Sequence, residues 1–391
     1  MPWLEMCPMD QKVLFMADYL RGGITMTALC ARYGISRKTG YKWTSRYREQ
    51  GLGGLESQSR APLQISGKTP YAIREAIISL RRKFRVRLGP KKLLKLLEEQ
   101  FPPEELPSTT TVYNILRKAG LIKPKRRRQR VPASRHPFAD VQDPNEVWSV
   151  DFKGQFKMQD GRWCYPLTVM DHSSRYLLGC QGLVSTRFAL SKPVFVRLFK
   201  EFGLPSRIRS DNGVPFATVA RGGLSKLSIW WLHLGILPER IEPGKPQQNG
   251  QHERMHRTLK EWVLPAPAAN MVDQQQDLDR FRHFYNCERP HEALQQTMPD
   301  CVYTPSPRPY PSRLPPLHYP SYFDVKKVQP SGVVYWRGCQ VYVAYLLAGE
   351  QVGLEEVADG IWDLYFGPIR LGGFDIRTMK EKSARYLTIK V

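Results

Sequence analysis

The feature that most constrains the fold is a change in residue pattern near residue 146. Before it, apolar residues recur at helical spacing in short segments at 10–22, 25–33 and 37–50. From residue 146 the period becomes two, because Trp148, Val150 and Phe152 alternate with polar residues as in a strand. Strand-like and helix-like segments then alternate until a helix at 249–264. We therefore predict a multidomain α+β chain, with an all-α front followed by a mixed α/β sheet.

Positive charge is concentrated in the first third of the chain. The 391 residues include 59 Lys and Arg against 36 Asp and Glu, a formal net charge of +23. Residues 1–145 hold 28 of the basic residues and only 12 of the acidic ones. Charge that served only solubility would be spread evenly. The asymmetry therefore predicts a nucleic-acid-binding front and a different task for the remainder.

Several protein classes are disfavoured by composition. The seven cysteines include no Cys-x-x-Cys pair and no His precedes residue 136, so neither a disulfide scaffold nor a zinc site at the front is indicated. Apolar residues make up 41% of the chain, enough to bury real cores. No apolar run is long enough to span a membrane, and no signal peptide opens the sequence. We expect a cytoplasmic protein with no membrane partner.

Residues 1–56 are predicted to form a helix-turn-helix DNA-binding domain. Gly34 provides the tight turn, and Ser36 is a candidate N-cap for the third helix. Basic residues of that helix are candidate DNA contacts: Arg37, Lys38, Lys42 and Arg46. An ordinary basic three-helix bundle is the alternative interpretation.

Residues 66–122 are predicted to form a second helix-turn-helix domain. Helices are predicted at 70–88, 90–100 and 110–119, and the last of them begins after Ser108 and closes at Gly120. Polar residues in its first half are candidate DNA contacts: Thr109, Thr110 and Asn114. A plain dimerisation bundle is the alternative.

Two segments have the composition of linkers. Residues 123–144 are basic and proline-containing, and we expect Arg126, Arg127 and Arg128 to lie along DNA phosphates. A solvated spacer is the alternative for this stretch. Residues 301–322 form a proline-rich linker, and the short apolar runs between glycines in 323–391 predict a small β-barrel.

Three acidic residues stand out by their context. Asp151 lies mid-strand, where aspartate is disfavoured, and Asp211 directly follows a short predicted strand at 207–210. Glu253 lies on a helix, opposite the apolar stripe that contains Met255 and Leu259. Each acid alone is more often structural or solvated. Together they can form an oxygen-ligand cluster suited to Mg²⁺, and two such ions can promote an in-line displacement at phosphate.

Residues 145–300 resemble the catalytic core of the DDE transposase and retroviral integrase superfamily. The motifs that carry the resemblance are Trp148-Ser-Val-Asp151-Phe, Ser210-Asp211-Asn-Gly213 and Pro246-Gln-Gln-Asn-Gly-Gln-His-Glu253-Arg-Met-His-Arg-Thr-Leu-Lys260. Tyr285-Asn286 and Arg289-Pro290-His291 are similar to the tail of bacterial insertion-sequence transposases. The two predicted helix-turn-helix domains and a C-terminal barrel are similarly placed in that group.

The resemblance implies a ribonuclease-H-like core with Asp151, Asp211 and Glu253 as the catalytic and metal-binding triad. Two Mg²⁺ or Mn²⁺ ions are implied as cofactors, and the implied activity is cutting and joining of DNA in transposition. The partners would be terminal-repeat and target DNA, with the protein acting as a homo-oligomer in a prokaryotic cytoplasm, associated with the nucleoid. Candidate DNA contacts in the core are Lys245, Arg257 and Lys260.

One departure concerns the third acid. Asp211 and Glu253 are 42 positions apart, a longer gap than in retroviral integrases, with extra sequence around 217–232. We interpret this as a local insertion, with Glu242 and Glu261 as alternative third ligands. Two alternative functions remain from the sequence: a ribonuclease-H-like nuclease, and a domesticated sequence-specific DNA-binding regulator.

Overall fold

The computed structural model describes residues 8–57, 69–122, 141–218, 221–242, 246–379, 386–387 and 389. The chain divides into two compact units, Met1–Lys68 and Thr69–Val391. Four predicted DNA contacts lie outside the described residues: Arg126, Arg127, Arg128 and Lys245. Across the described residues, no helix has the length and apolar character that a membrane crossing requires.

The first unit contains the predicted helix-turn-helix. Its helices are α1 (Pro8–Arg21), α2 (Met26–Arg32) and α3 (Arg37–Gln50). The Ser36 hydroxyl caps α3 by accepting a hydrogen bond from the Thr39 N–H at 3.2 Å, as predicted. Helices α2 and α3 approach closely because Gly40 has no Cβ. A Cβ at this position would lie only 2.5 Å from the Cys30 sulfur. Small residues at this crossing therefore allow the helix-turn-helix packing.

The second helical segment consists of α4 (Tyr71–Lys83), α5 (Pro90–Leu97) and α6 (Thr109–Lys118). The predicted helix at 70–88 is too long, because α4 ends at Lys83 and Phe84 takes an extended conformation. Ser108 caps α6 through the Thr111 N–H at 3.3 Å.

The central sheet mixes antiparallel and parallel strands, as predicted. Strands β1 (Val147–Phe152), β3 (Trp163–Asp171) and β4 (Leu177–Leu183) are antiparallel, and the two-residue β2 (Phe156–Lys157) pairs with the beginning of β3. Strands β5 (Arg207–Ser210) and β6 (Leu237–Arg240) extend the sheet parallel to β1.

Helices cover both faces of this sheet. Helices α7 (Phe188–Phe202) and α8 (Lys226–His233) share a core with one face, in which Trp148 and Trp231 are fully buried. Helices α9 (Gly250–Val263) and α10 (Met271–His283) share a core with the other face. That second core also includes the apolar side chains of α4, α5 and α6. The second helical segment is therefore packed against the central sheet, α9 and α10 through a common core.

The C-terminal region is built from two sheets. Strands β12 (Ile369–Asp375), β11 (Ile361–Phe366), β10 (Gln351–Ala358) and β7 (Asp324–Lys327) form the first sheet in that order. Strands β13 (Tyr386–Leu387), β9 (Cys339–Tyr342) and β8 (Val333–Trp336) form the second.

The prediction of a small β-barrel in this region is therefore wrong, because the described strands form two sheets that do not close into a barrel. Strands β8 and β9 have four residues each and pair as a hairpin, and β13 pairs with β9. Among the described strands, no hydrogen-bonded ladder joins this sheet to the four-stranded one. The two sheets instead contact each other through side chains of a common core. In this core the ring centres of Trp336 and Trp362 lie 4.7 Å apart.

The extra sequence around 217–232 supplies the support for the C-terminal region. Leu227 and Trp231 of α8 pack on the central sheet, whereas Ile229 and Leu232 belong to the C-terminal core. The helix is thus apolar on two sides because it separates two cores.

Candidate active site

Strand pairing places the first two acids of the predicted triad on neighbouring strands. Asp151 is the fifth residue of β1, and Asp211 directly follows the end of β5. Since β1 and β5 are parallel neighbours, their carboxyl ends lie at the same edge of the sheet. The Asp211 carboxylate accepts a hydrogen bond from the Gly213 N–H at 3.1 Å, which fixes the turn after β5.

Glu253 lies in the first turn of α9 and is exposed. The helix buries Met255 and Leu259 against the sheet and the second helical segment, as the apolar stripe predicts. Arg257 and Lys260 are exposed on the same helix. The position of Glu253 in the first turn of α9 therefore leaves its carboxylate accessible to solvent.

Burial and neighbouring carboxylates both act on the pKa of Asp151. Burial raises the pKa of Asp151 to about 7, and the Asp211 carboxylate and, more weakly, Glu253 add to the rise. The Phe152 N–H and Lys153 act in the opposite direction. Burial is thus the main cause of the raised pKa of Asp151, and the neighbouring carboxylates add to it.

Two histidines of α9 are buried beneath Asp151. His252 is fully buried and His256 is 8% exposed. The Nε2 atoms of both rings lie 2.7 Å from the Thr168 hydroxyl, which pairs across the sheet with Asp151. His252 Nδ1 lies 2.8 Å from the Ser149 hydroxyl, and His256 Nδ1 lies 3.7 Å from Asp151 Oδ2. These contacts connect α9 to both β1 and β3.

The proton positions in this network follow from its acceptors. The Thr168 hydroxyl donates its one proton to the Asp151 backbone oxygen at 3.0 Å, so we assign both histidines as Nε2–H donors to Thr168. The Ser149 hydroxyl lies 2.8 Å from His252 Nδ1 and 3.2 Å from the Met170 carbonyl oxygen, and its one proton serves one of these two acceptors. Burial lowers the pKa of His252 to about 3 and also lowers that of His256, so both rings are neutral. The unprotonated His256 Nδ1 faces the Asp151 carboxylate.

The structure places His252 and His256 in a buried structural role. The sequence carried a signal for this burial, because both histidines lie at helical spacing from Met255 and Leu259, which are buried. Of the alternative third ligands, Glu242 accepts a hydrogen bond from Gln248 at 2.9 Å. The carboxylates that raise the pKa of Asp151 are Asp211 and Glu253, with neither Glu242 nor Glu261 among them.

The three acids fit a divalent cation by their chemistry. They provide carboxylate oxygens, the ligands that Mg²⁺ and Mn²⁺ prefer. A cation would also offset the repulsion that raises the pKa of Asp151. Within the described ranges, no group of three or more His, Cys, Asp or Glu side chains is arranged so that it could hold a metal ion.

The candidate DNA contacts within the described residues lie mostly at the surface. Arg37, Lys38 and Lys42 of α3 are exposed, while Arg46 is half-buried with its guanidinium 5.4 Å from the Trp43 ring centre. On α6, the exposed candidates are Thr109, Thr110 and Asn114.

Known domain families match most of the chain. The "Integrase core domain" matches in two segments, residues 141–246 and 234–299. A "Helix-turn-helix domain" matches residues 11–62, and a "Homeodomain-like domain" matches residues 39–116. The "IS481 family transposase, C-terminal domain" matches residues 323–382.

Individual relatives come from insertion elements and retroviruses. The insertion element IS407 uncharacterized 31.7 kDa protein of Burkholderia multivorans is 30% identical over 48% of this chain and 66% of its own length. The insertion element IS476 uncharacterized 39.2 kDa protein of Xanthomonas euvesicatoria is 26% identical over 72% of this chain and 78% of its own length. The Gag-Pol polyprotein of baboon endogenous virus is 27% identical over 56% of this chain and 12% of its own.

Similar solved structures include a simian T-cell lymphotropic virus intasome in complex with PP2A regulatory subunit B56 gamma. The similarity covers 72% of this chain and 98% of that one at 17% identity, with a TM-score of 0.38. The HTLV-2 integrase catalytic core domain in complex with magnesium covers 41% and 98% at 12% identity, with a TM-score of 0.33. By its integrase-core, helix-turn-helix and IS481-type C-terminal domains and its insertion-element relatives, the chain belongs to the insertion-sequence transposases of the retroviral integrase superfamily.

Proposed function

We propose that this protein binds the terminal repeats of its element and performs metal-dependent DNA cleavage and strand transfer. The observation that carries the proposal is the placement of Asp151 and Asp211 at one end of two parallel strands, with Glu253 close enough to raise the pKa of Asp151. Asp151, Asp211 and Glu253 would hold two Mg²⁺ or Mn²⁺ ions. When bound, the ions would activate the attacking oxygen and stabilise the leaving 3′-oxygen.

The protein's own residues perform the positioning. The Thr168 hydroxyl and the buried histidines hold α9 against β1 and β3, which fixes Glu253 relative to Asp151. Burial, together with the nearby Lys260, lowers the pKa of Lys153 to about 8. Lys153 and Lys260 thus place positive charge beside the acids, where the DNA phosphates would lie.

We assign recognition of the DNA sequence to the two helical segments, in which α3 and α6 carry the candidate DNA contacts. The protein would act as a homo-oligomer, because two element ends must be joined to one target.

A strand-transfer assay with a labelled terminal-repeat duplex and Mg²⁺ tests the proposal. We expect Asp151→Asn, Asp211→Asn and Glu253→Gln each to remove most cleavage while repeat binding stays intact, since the amides keep the shape but lose the charge. Glu261→Gln, an exposed change on the same helix, is the matched control and is expected to keep activity.

The same assay separates the alternatives. A ribonuclease-H-like nuclease would cut without joining ends to the target, and a DNA-binding regulator would only bind. Wild-type cleavage by any one of the three variants would remove that residue from the triad.

A further inference from the structure

Hydrogen bonds connect the turn after β5, which carries Asp211, to the residue that follows β6. The Ile241 N–H donates to the Ser210 carbonyl oxygen at 3.2 Å. The Asn212 side-chain amide donates in turn to the Ile241 carbonyl oxygen at 2.8 Å. Asp211 lies between Ser210 and Asn212 in the sequence. The position of Ile241 is therefore tied to the turn that holds the second acid of the candidate triad.

A second pair of hydrogen bonds connects the next residue to the beginning of α9. The Glu242 N–H donates to the Gln248 side-chain oxygen at 2.8 Å, and the Gln248 amide donates back to Glu242 Oε1 at 2.9 Å. Because the backbone N–H needs an acceptor, it fixes which end of the Gln248 amide faces it. Gln248 is buried and belongs to a 3₁₀ turn, Pro246–Asn249, that runs directly into α9. Glu253 lies in the first turn of that helix.

We call Asn212, Ile241, Glu242 and Gln248 the acid bracket. Along the chain, Asp211 and Glu253 are 42 positions apart, but Asp211 adjoins one end of the bracket and Glu253 follows the other. Bringing together two parts of a chain that are not held costs conformational entropy when a ligand is shared between them. The bracket holds these parts together beforehand, which lowers that cost.

We infer that the acid bracket positions the first turn of α9, and with it Glu253, relative to Asp211 for the divalent cations of the proposed reaction. Glu242 and Gln248 are then positioning residues. Glu242, one of the alternative third ligands, would serve as a hydrogen-bond acceptor for Gln248 and not as a metal ligand. Its charge is not needed for this role, because a neutral amide oxygen also accepts the bond. The inference rests on the proposed function for the presence of the cations.

Exchanging the hydrogen-bonding groups of Glu242 and Gln248 in the full chain tests the inference. In Glu242→Gln the new amide oxygen can still accept from Gln248, so we expect Mn²⁺ affinity and strand transfer within about threefold of wild type. Gln248→Glu places two carboxylates in contact and is expected to lower strand transfer about tenfold. The double variant Glu242→Gln with Gln248→Glu restores both bonds with donor and acceptor exchanged, and it is expected to recover most of the activity.

Gln248→Met removes both bonds without changing the charge. We expect Mn²⁺ affinity, followed by electron paramagnetic resonance, to fall about tenfold. Gln274→Met is the matched control, because the buried Gln274 side-chain oxygen also accepts a backbone N–H from six residues away, that of Ala268 at 3.0 Å, at the beginning of α10. This control is expected to lower stability and to leave Mn²⁺ affinity unchanged. If Gln248→Met proves unstable, the double variant carries the test.

Hydrogen exchange at the Glu242 amide reads the bracket itself. We expect protection in wild type and in the double variant, and faster exchange in Gln248→Met. Wild-type Mn²⁺ affinity in Gln248→Met, or a double variant no more active than Gln248→Glu, would overturn the inference. Loss of Mn²⁺ binding in Glu242→Gln as complete as in Asp211→Asn would also overturn it, because Glu242 would then be a ligand. A wild-type chain that neither binds Mn²⁺ nor joins DNA ends would instead overturn the proposed function, while amide exchange would still report whether the bracket forms.

Discussion

The Thr168 hydroxyl joins both histidines to the sheet in the buried network beneath the candidate active site, to which Ser149 also contributes. It is fully buried and takes part in three hydrogen bonds, to the Asp151 carbonyl, His252 and His256. Valine has the same shape without the hydroxyl, so Thr168→Val removes all three bonds without opening a cavity.

The cost follows from the groups left unpaired. Two buried imidazole N–H groups lose their acceptor, at about 1–3 kcal/mol each. His256 can recover a partner by moving its proton to Nδ1, which faces Asp151 at 3.7 Å. We therefore expect Thr168→Val to lower the free energy of unfolding by about 2–4 kcal/mol. The proton on Nδ1 would also hold the Asp151 carboxylate and weaken its affinity for a divalent cation.

Two measurements check this prediction. The first is the urea unfolding midpoint, followed by the fluorescence of the buried core tryptophans. The second is Mn²⁺ binding to the full chain, followed by electron paramagnetic resonance, which reads the cation site independently of activity. Thr168→Ser keeps the hydroxyl and is expected to restore Mn²⁺ affinity.

Thr258→Val is the matched control. Thr258 is also buried on α9, but its hydroxyl donates only to the Arg254 carbonyl of the same helix at 3.1 Å. We expect a small loss of stability and unchanged Mn²⁺ binding. If Thr168→Val and Thr258→Val have the same midpoint and the same Mn²⁺ affinity, the network has no positioning role and the reasoning is refuted.

Three further predictions concern other parts of the molecule. Because the pKa of Asp151 is raised to about 7 in the fold, folding takes up a proton between pH 4 and 7 and stability falls across that range. Asp151→Asn should therefore stabilise the metal-free protein at pH 8, by up to about 4 kcal/mol, with the gain vanishing near pH 4 in thermal unfolding. Gly40→Ala should destabilise the first unit by about 1–3 kcal/mol through overpacking on Cys30, whereas Gly53→Ala, with open space around its Cβ, should not. Leu232→Ala should lower the free energy of unfolding by about 2–4 kcal/mol and speed proteolysis within 301–322. An equal effect of Leu237→Ala, a change at an exposed leucine, would contradict the role of α8 in supporting the C-terminal region.

The chemistry-bearing motifs were readable because they are local. Asp151 interrupts an apolar alternation, Asp211 follows a short strand, and Glu253 lies opposite an apolar stripe, all within a few residues of their signals. Their roles as metal ligands remain predictions. These motifs predicted that the chain is an insertion-sequence transposase of the retroviral integrase superfamily. The matching domain families and relatives confirm this prediction.

The sequence by itself determined the helix beginnings at Ser36 and Ser108, the mixed sheet and the family, because caps and hydrophobic periods are set by neighbours in the chain. Only the tertiary structure decided that His252 and His256 are buried on Thr168, since burial depends on a strand 84 positions away. It also decided that the C-terminal sheets stay open and that α8 separates two cores. Such outcomes depend on which surfaces meet, and no local pattern encodes the partner of a surface.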